Sequence, residues 1–251
     1  MRSSAVQTLN KKGYENRIHP SATRGKANHG WLNSRHSFSF ANYHDSSKMN
    51  FGLLRVLNDD VVSGGQGFGQ HPHKNMEIIS IPLSGDLKHE DSMGNKTVIR
   101  EGEIQAMSAG TGIFHSEYNA NMEQAVEFLQ IWIIPRSQNV SPRYDQTELL
   151  DLHLGNTLHQ VLSPNASDQG VWIHQDAWFH LGTFDQGIET VYPIKKEGNG
   201  IYAFILEGSF EVNGQPLGKR DAIGVWETLD LTILALEPSS RLLLIDVPMA
   251  F

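Results

Sequence analysis

Apolar and polar residues alternate in short runs along most of this chain, a period of two that puts successive side chains on opposite faces of a strand. Runs rich in Ile, Val, Leu and aromatic residues occupy Phe51–Val62, Met76–Leu83, Asp86–His89, Lys96–Arg100, Glu103–Ser108, Ile113–Tyr118 and Glu127–Ile134. Glycine-bearing breaks separate them at Gly64-Gly65, Ser84-Gly85, Gly94-Asn95, Gly102 and Gly110–Gly112. No stretch before residue 140 keeps an i, i+3, i+4 apolar spacing over three turns. Short strands with turn signals every 8–12 residues or so predict an all-β sandwich or barrel.

The segment Pro135–Pro142, PRSQNVSP, is too polar and proline-rich to pack, and reads as a linker. Beyond it the strand pattern resumes at Val171–His174, Ala177–Gly182, Ile188–Ile194, Ile201–Leu206, Ser209–Val212, Ala222–Trp226, Leu231–Leu236 and Leu242–Val247. Asn213-Gly214 is a hairpin signal, because both residues tolerate positive φ. The two halves can be laid on one another: IPLSGDLKHED (81–91) on FILEGSFEVNG (204–214), with Gly85 over Gly208, and 100–110 on 217–227. Two copies of one β unit are therefore expected, with domains at 1–142 and 143–251.

Composition narrows the chemistry. Twenty basic against 28 acidic residues leave a net charge of −8, which disfavours a coat for nucleic acid or anionic membrane. The chain has no cysteine, so disulfides, zinc–thiolate sites, iron–sulfur clusters and thiol catalysis are excluded. The longest apolar run, Phe128–Pro135, is too short to span a bilayer. The first twenty residues carry no continuous apolar segment, so the cytoplasm is the expected location. Twelve histidines then stand out.

A lone His-x-His pair means little, since 12 histidines in 251 positions give about half of one such pair by chance. Here the spacing repeats. His71 and His73 are two apart, as are His115 and Glu117. Each pair shares one face of its strand. Two neighbouring strands could thus bring three imidazoles and a carboxylate to one point, a donor set suited to Fe²⁺ and also to Mn²⁺, Ni²⁺, Cu²⁺, Co²⁺ or Zn²⁺.

The residues around these pairs resemble a known family. Gly65, His71, His73, Glu77 and Gly85 match the first cupin motif with one residue more than usual between Glu77 and Gly85. Gly102, Gly110-Thr111-Gly112, His115 and Asn119 match the second. With GFGQHPHKNMEI, HEDSMGN, SAGTGIFHSEYN and KANHGWLNSRHSFSFANYHD, the chain resembles the pirin branch of the bicupins over about residues 24–145, and more weakly to its C-terminus. The resemblance implies two tandem cupin (double-stranded β-helix) barrels, with one metal held by His71, His73, His115 and Glu117. It implies iron as the usual ion, and a monomer acting on a small aromatic substrate and O₂. Its bacterial branch implies a quercetin 2,3-dioxygenase, which opens a flavonol ring and releases CO. Glu117 then has two candidate roles, as a ligand or, after swinging off the metal, as the catalytic base for the 3-hydroxyl proton. Its eukaryotic branch implies the alternative of an iron-dependent redox sensor or regulator without direct nucleic-acid contact.

Neighbouring residues are assigned lesser roles. Glu77, a ligand in many other cupins, is expected to accept a hydrogen bond from a ligand histidine. His89, Glu90 and Asp91 read as a solvated strand end, and His174 and His180 as structural. Trp31, Phe38, Phe40 and Tyr43 read as a packing face. In the second half the positions matching His71, His73 and His115 fall near Ile194, Lys196 and Ile233, so no metal is expected there.

Overall fold

The computed structural model describes residues 13–150 and 154–250. Residues 1–12, part of the segment without an apolar leader, lie outside that range. Among the described residues nearly all the regular structure is β-strand, and a short 3₁₀ turn lies at Ser21–Thr23. No helix among the described residues is long and apolar enough to cross a membrane. The chain divides into two compact units.

One unit comprises Arg24–Asp151 and Gln160–Ala177. Its larger sheet has seven strands in the order Arg143–Glu148, Glu103–Ser108, Glu77–Ser84, Val126–Ile133, Leu54–Val62, Leu32–His36 and Gly25–Asn28. The smaller has four, in the order Gly67–His73, Ile113–Asn119, Leu87–Asp91 and Lys96–Ile99. Neighbours in both sheets run antiparallel. The other unit comprises Met1–Thr23, Leu152–His159 and Trp178–Phe251. Its larger sheet includes, in order, Glu15–His19, Ala222–Trp226, Asn199–Glu207, Ser240–Pro248 and Trp178–Phe184. Its smaller sheet runs Glu189–Pro193, Asp230–Ala235, Phe210–Val212 and Gln215–Leu217. Two tandem cupin barrels result.

The units are not two consecutive stretches of chain. Arg143–Glu148, which lies beyond residue 142, pairs with Glu103–Ser108 from Arg143↔Ser108 to Glu148↔Glu103. The early strand Glu15–His19 instead pairs with Ala222–Trp226 in the C-terminal barrel. Period-two patterning marks a strand but does not name its partner, so these assignments are set by long-range pairing.

The interiors of the barrels differ. In the C-terminal barrel, Phe184, Phe210, Leu231, Ile233, Leu242 and Leu244 belong to one apolar cluster of fully buried side chains. Ile233 lies in this core, and Ile194 packs against it. Apolar side chains fill that barrel instead of lining a site. In the N-terminal barrel the strand Val126–Ile133 carries Phe128 in one apolar cluster and Trp132 against another, with Gln130 between them. Cross-strand register adds Asn58 opposite Gln130 and Asp60 opposite Phe128, all facing inward. A polar belt therefore crosses this barrel between two apolar caps.

Candidate metal centre

The Ile113–Asn119 strand has Ile113, His115, Glu117 and Asn119 buried, and Phe114 and Tyr118 exposed. Alternation sends the two candidate ligands into the barrel and the two aromatic rings outward. It pairs with Gly67–His73 so that His115 lies opposite His71 and Ile113 opposite His73. A register shift between His115 and Glu117 then breaks the ladder. The preceding loop needs glycine at Gly110, which has φ +48°, because a Cβ there would collide with the Val140 carbonyl oxygen.

His71, His73 and His115 come together. Their ring centroids are 4.4 Å apart for His71–His115 and 4.9 Å for both His71–His73 and His73–His115. One nitrogen from each lies within 4.8 Å of the others. The His71 Nδ1–H donates to the Gly69 carbonyl oxygen at 2.7 Å, which leaves its Nε2 lone pair free. Burial, reinforced by the His115 and His71 imidazoles, pushes His73 down to about 4. Burial, with His71 and His89 beside it, pushes His115 down to about 3. Both rings are therefore neutral near pH 7, the state that ligates a cation. Both ring nitrogens of His115 are buried without a hydrogen-bond partner. An imidazole with two unsatisfied nitrogens in a protein interior is costly unless something else occupies one of them, and a metal ion fits.

Glu117 is buried two residues further along the same strand. Ser80 Oγ donates to its Oε1 at 3.0 Å, and Gln130 Nε2 donates to its Oε2 at 2.6 Å. Its carboxylate forms a second group with His115 and His89, with donor atoms again within 4.8 Å. Asp60, pushed up to about 7 by burial against a hydrogen bond from Ser34, feels the Asp59 and Glu117 charges as well.

Two expectations need correction. Glu77 is fully buried, but its Oε2 accepts from Ser108 Oγ at 2.6 Å and not from a ligand histidine. Glu77 and Ser80 are three residues apart on one strand, so when Ser80 faces Glu117 the Glu77 side chain faces away. Burial pushes Glu77 up to about 7. His89 and Asp91 are not a solvated strand end, because both side chains are 0% exposed. His89 lies opposite Glu117 in the ladder, with its ring 5.3 Å from His115 and 4.8 Å from Tyr144. The alternation of Leu87, His89 and Asp91 was the available signal, but nothing local showed which strand lay beside it.

Aromatic rings flank the histidines. Trp132 meets His73 edge-on at 4.9 Å, Phe40 meets Trp132 at 5.3 Å, and His36 meets Phe40 at 5.3 Å. Phe40, read as part of a packing face, thus extends an aromatic wall that begins at His73.

Comparison with known proteins identifies the family. Residues 17–133 match the pirin family, and residues 160–247 match the quercetinase C-terminal cupin domain. Over 225 residues the chain is 44% identical to a quercetin 2,3-dioxygenase of Escherichia coli (strain K12), covering 90% of this chain and 95% of that protein. It is 39% identical over 223 residues to a pirin-like protein of Caulobacter vibrioides, covering 88% and 95%. The crystal structure of YhhW from Escherichia coli superposes with a TM-score of 0.88 at 40% identity, covering 94% of this chain and 99% of that one. The same bacterial pirin in complex with nickel(II) superposes with a TM-score of 0.87 at 40% identity, covering 93% and 99%. With its tandem barrels and a histidine cluster in the first of them, the chain belongs to the pirin family.

Proposed function

We propose that this protein is a metal-dependent dioxygenase that opens the ring of a flavonol such as quercetin with O₂ and releases CO. We assign the ion, Fe²⁺ in this reading, to His71, His73, His115 and Glu117. The observation that carries the reading is His115, buried with both nitrogens unpartnered beside two further imidazoles. The similarity to proteins named quercetin 2,3-dioxygenase supports the substrate class.

When bound, the ion supplies Lewis acidity that lowers the pKa of a ligated hydroxyl and brings substrate and O₂ together. The chain's own groups do the rest. Glu117 takes the flavonol 3-hydroxyl proton on a carboxylate oxygen, while Ser80 and Gln130 hold that carboxylate in place. Trp132 and Phe40 give an apolar wall on the His73 side, suited to a flat aromatic ligand. No lysine or arginine lies within the two histidine motifs except Lys74, which disfavours an anionic substrate. The test is anaerobic loading of purified protein with Fe²⁺, then addition of quercetin and air, with CO and flavonol absorbance followed together. Loaded protein that consumes quercetin and evolves CO supports the reading, and loaded protein that does neither sinks it.

A further inference from the structure

His89 is a fully buried imidazole to which the proposed reaction gives no task. Asp91 Oδ2 accepts from His89 Nε2 at 3.1 Å and from Asn95 Nδ2 at 2.8 Å. Asp91 Oδ1 accepts from the Met93 and Asn95 backbone N–H groups at 2.9 and 3.1 Å. A carboxyl group that receives four donors is an ionised acceptor, so the hydrogen between His89 and Asp91 sits on His89 Nε2. In the neutral ring that bond fixes the tautomer and leaves Nδ1 of His89 as a lone pair. Nδ1 is buried and has no hydrogen-bond partner. Tyr144 packs against the His89 ring at 4.8 Å, and its hydroxyl is held by Thr97 and Gln146 at 2.7 Å each, so the ring has little freedom to turn.

His115 shows the complementary deficit. A histidine that gives one nitrogen to a metal carries a hydrogen on the other, and that N–H is almost always received by a neighbouring acceptor. Neither nitrogen of His115 has a protein partner. Glu117 is close, but the lone pairs that Ser80 and Gln130 leave free are given, in the proposed function, to the ion and the substrate proton. His89 Nδ1 is an unused acceptor, in a ring 5.3 Å from that of His115 and tilted by 50°. The two rings do not form an N–H···N hydrogen bond in this structure, so the pairing belongs to the state in which His115 turns to ligate an ion.

We propose that His89 and Asp91 are positioning residues of the metal centre: once His115 ligates an ion, His89 Nδ1 receives its remaining N–H, and Asp91 anchors His89 behind it. The chain Asp91–His89–His115 would hold His115 at the orientation and tautomer that ligation needs, and would raise its donor strength. This inference rests on His115 being a metal ligand.

The test is Co²⁺ titration of the full-length apo-protein, read by calorimetry and by the visible absorption of the bound ion. His89→Phe, which keeps a ring of similar shape but offers no acceptor, should weaken Co²⁺ binding about 10–100-fold and shift the absorption bands. His89→Gln, whose amide oxygen can take the His115 hydrogen, should stay within about fivefold of the parent. Asp91→Asn, which keeps an oxygen but loses the charge, should fall between the two and serves if His89→Phe does not fold. Parent-like affinity and spectrum in folded His89→Phe, or in Asp91→Asn, overturns the proposal while leaving the metal site intact. Two Co²⁺ ions per chain in the parent also overturn it, since His89, His115 and Glu117 would then hold an ion of their own. His115→Ala should abolish binding, and if it does not, the site reading falls together with this one.

Discussion

Glu117 is where binding and turnover can be separated. Replacing it with Gln keeps an oxygen for a cation and an amide that Ser80 and Gln130 can still meet, yet that amide cannot take a proton near pH 7. We expect Glu117→Gln to retain metal by elemental analysis and to lose about 10²–10⁴-fold in CO release. Parent-like turnover in the loaded variant would leave Glu117 as a ligand only. His180, in the other barrel, gives a pH prediction with a clear sign. Burial, with Lys195 and His159 adding to it, pushes His180 down to about 3 from an ordinary 6.5. Between those values the unfolded chain binds the proton and the folded one does not. Its contribution is therefore complete above about pH 6.5 and is lost as pH falls toward 3. His180→Gln has no such group, so its stability relative to the parent should improve between pH 7.5 and pH 5 in urea melts. A difference that stays constant with pH would refute the assignment.

At the scale of one strand, alternation can be tested directly on Ile113–Asn119. Ile113 is buried in an apolar cluster, whereas its neighbour Phe114 is 51% exposed. Ile113→Ala should cost about 2–4 kcal/mol, and Phe114→Ala about 0.5 kcal/mol or less, by chemical denaturation. Equal costs would mean the strand does not present its odd-numbered residues to the core. The loop before the strand is equally specified. Gly110→Ala places a side chain at positive φ against the Val140 carbonyl, so it should lower stability by about 1–3 kcal/mol. Because that loop leads directly into His115, Co²⁺ affinity should fall with it. This strand was legible in advance, since its turn glycines and its His-x-Glu spacing are local features. Arg143–Glu148 was not, because RYDQTE carries little hydrophobic signal. It forms through backbone pairing with Glu103–Ser108, and Arg143 also stacks 3.9 Å over Trp172 and donates to its carbonyl oxygen.

For the whole molecule, the unit boundaries carry a consequence for dissection. Truncation after Pro142 removes the strand that completes the larger sheet of the metal-bearing barrel, together with Tyr144 beside His89. Such a fragment should be insoluble or fail to bind Co²⁺, because the edge of Glu103–Ser108 is left unpaired. A soluble fragment with parent-like affinity would show that the strand is dispensable. Lys196→Met, by contrast, should leave metal content and turnover within about twofold, since the C-terminal barrel is filled with apolar side chains. The sequence by itself determined the all-β class, the doubling of the barrel, and the faces shared by His71 with His73 and by His115 with Glu117. All of these depend on residue type and a period of two, which act within a few positions of one another. Tertiary structure alone decided that Glu15–His19 joins the C-terminal barrel, that Glu77 turns toward Ser108, and that His89 stands buried behind His115. Those outcomes turn on which strands lie side by side, and that choice is made by contacts between residues far apart in the chain.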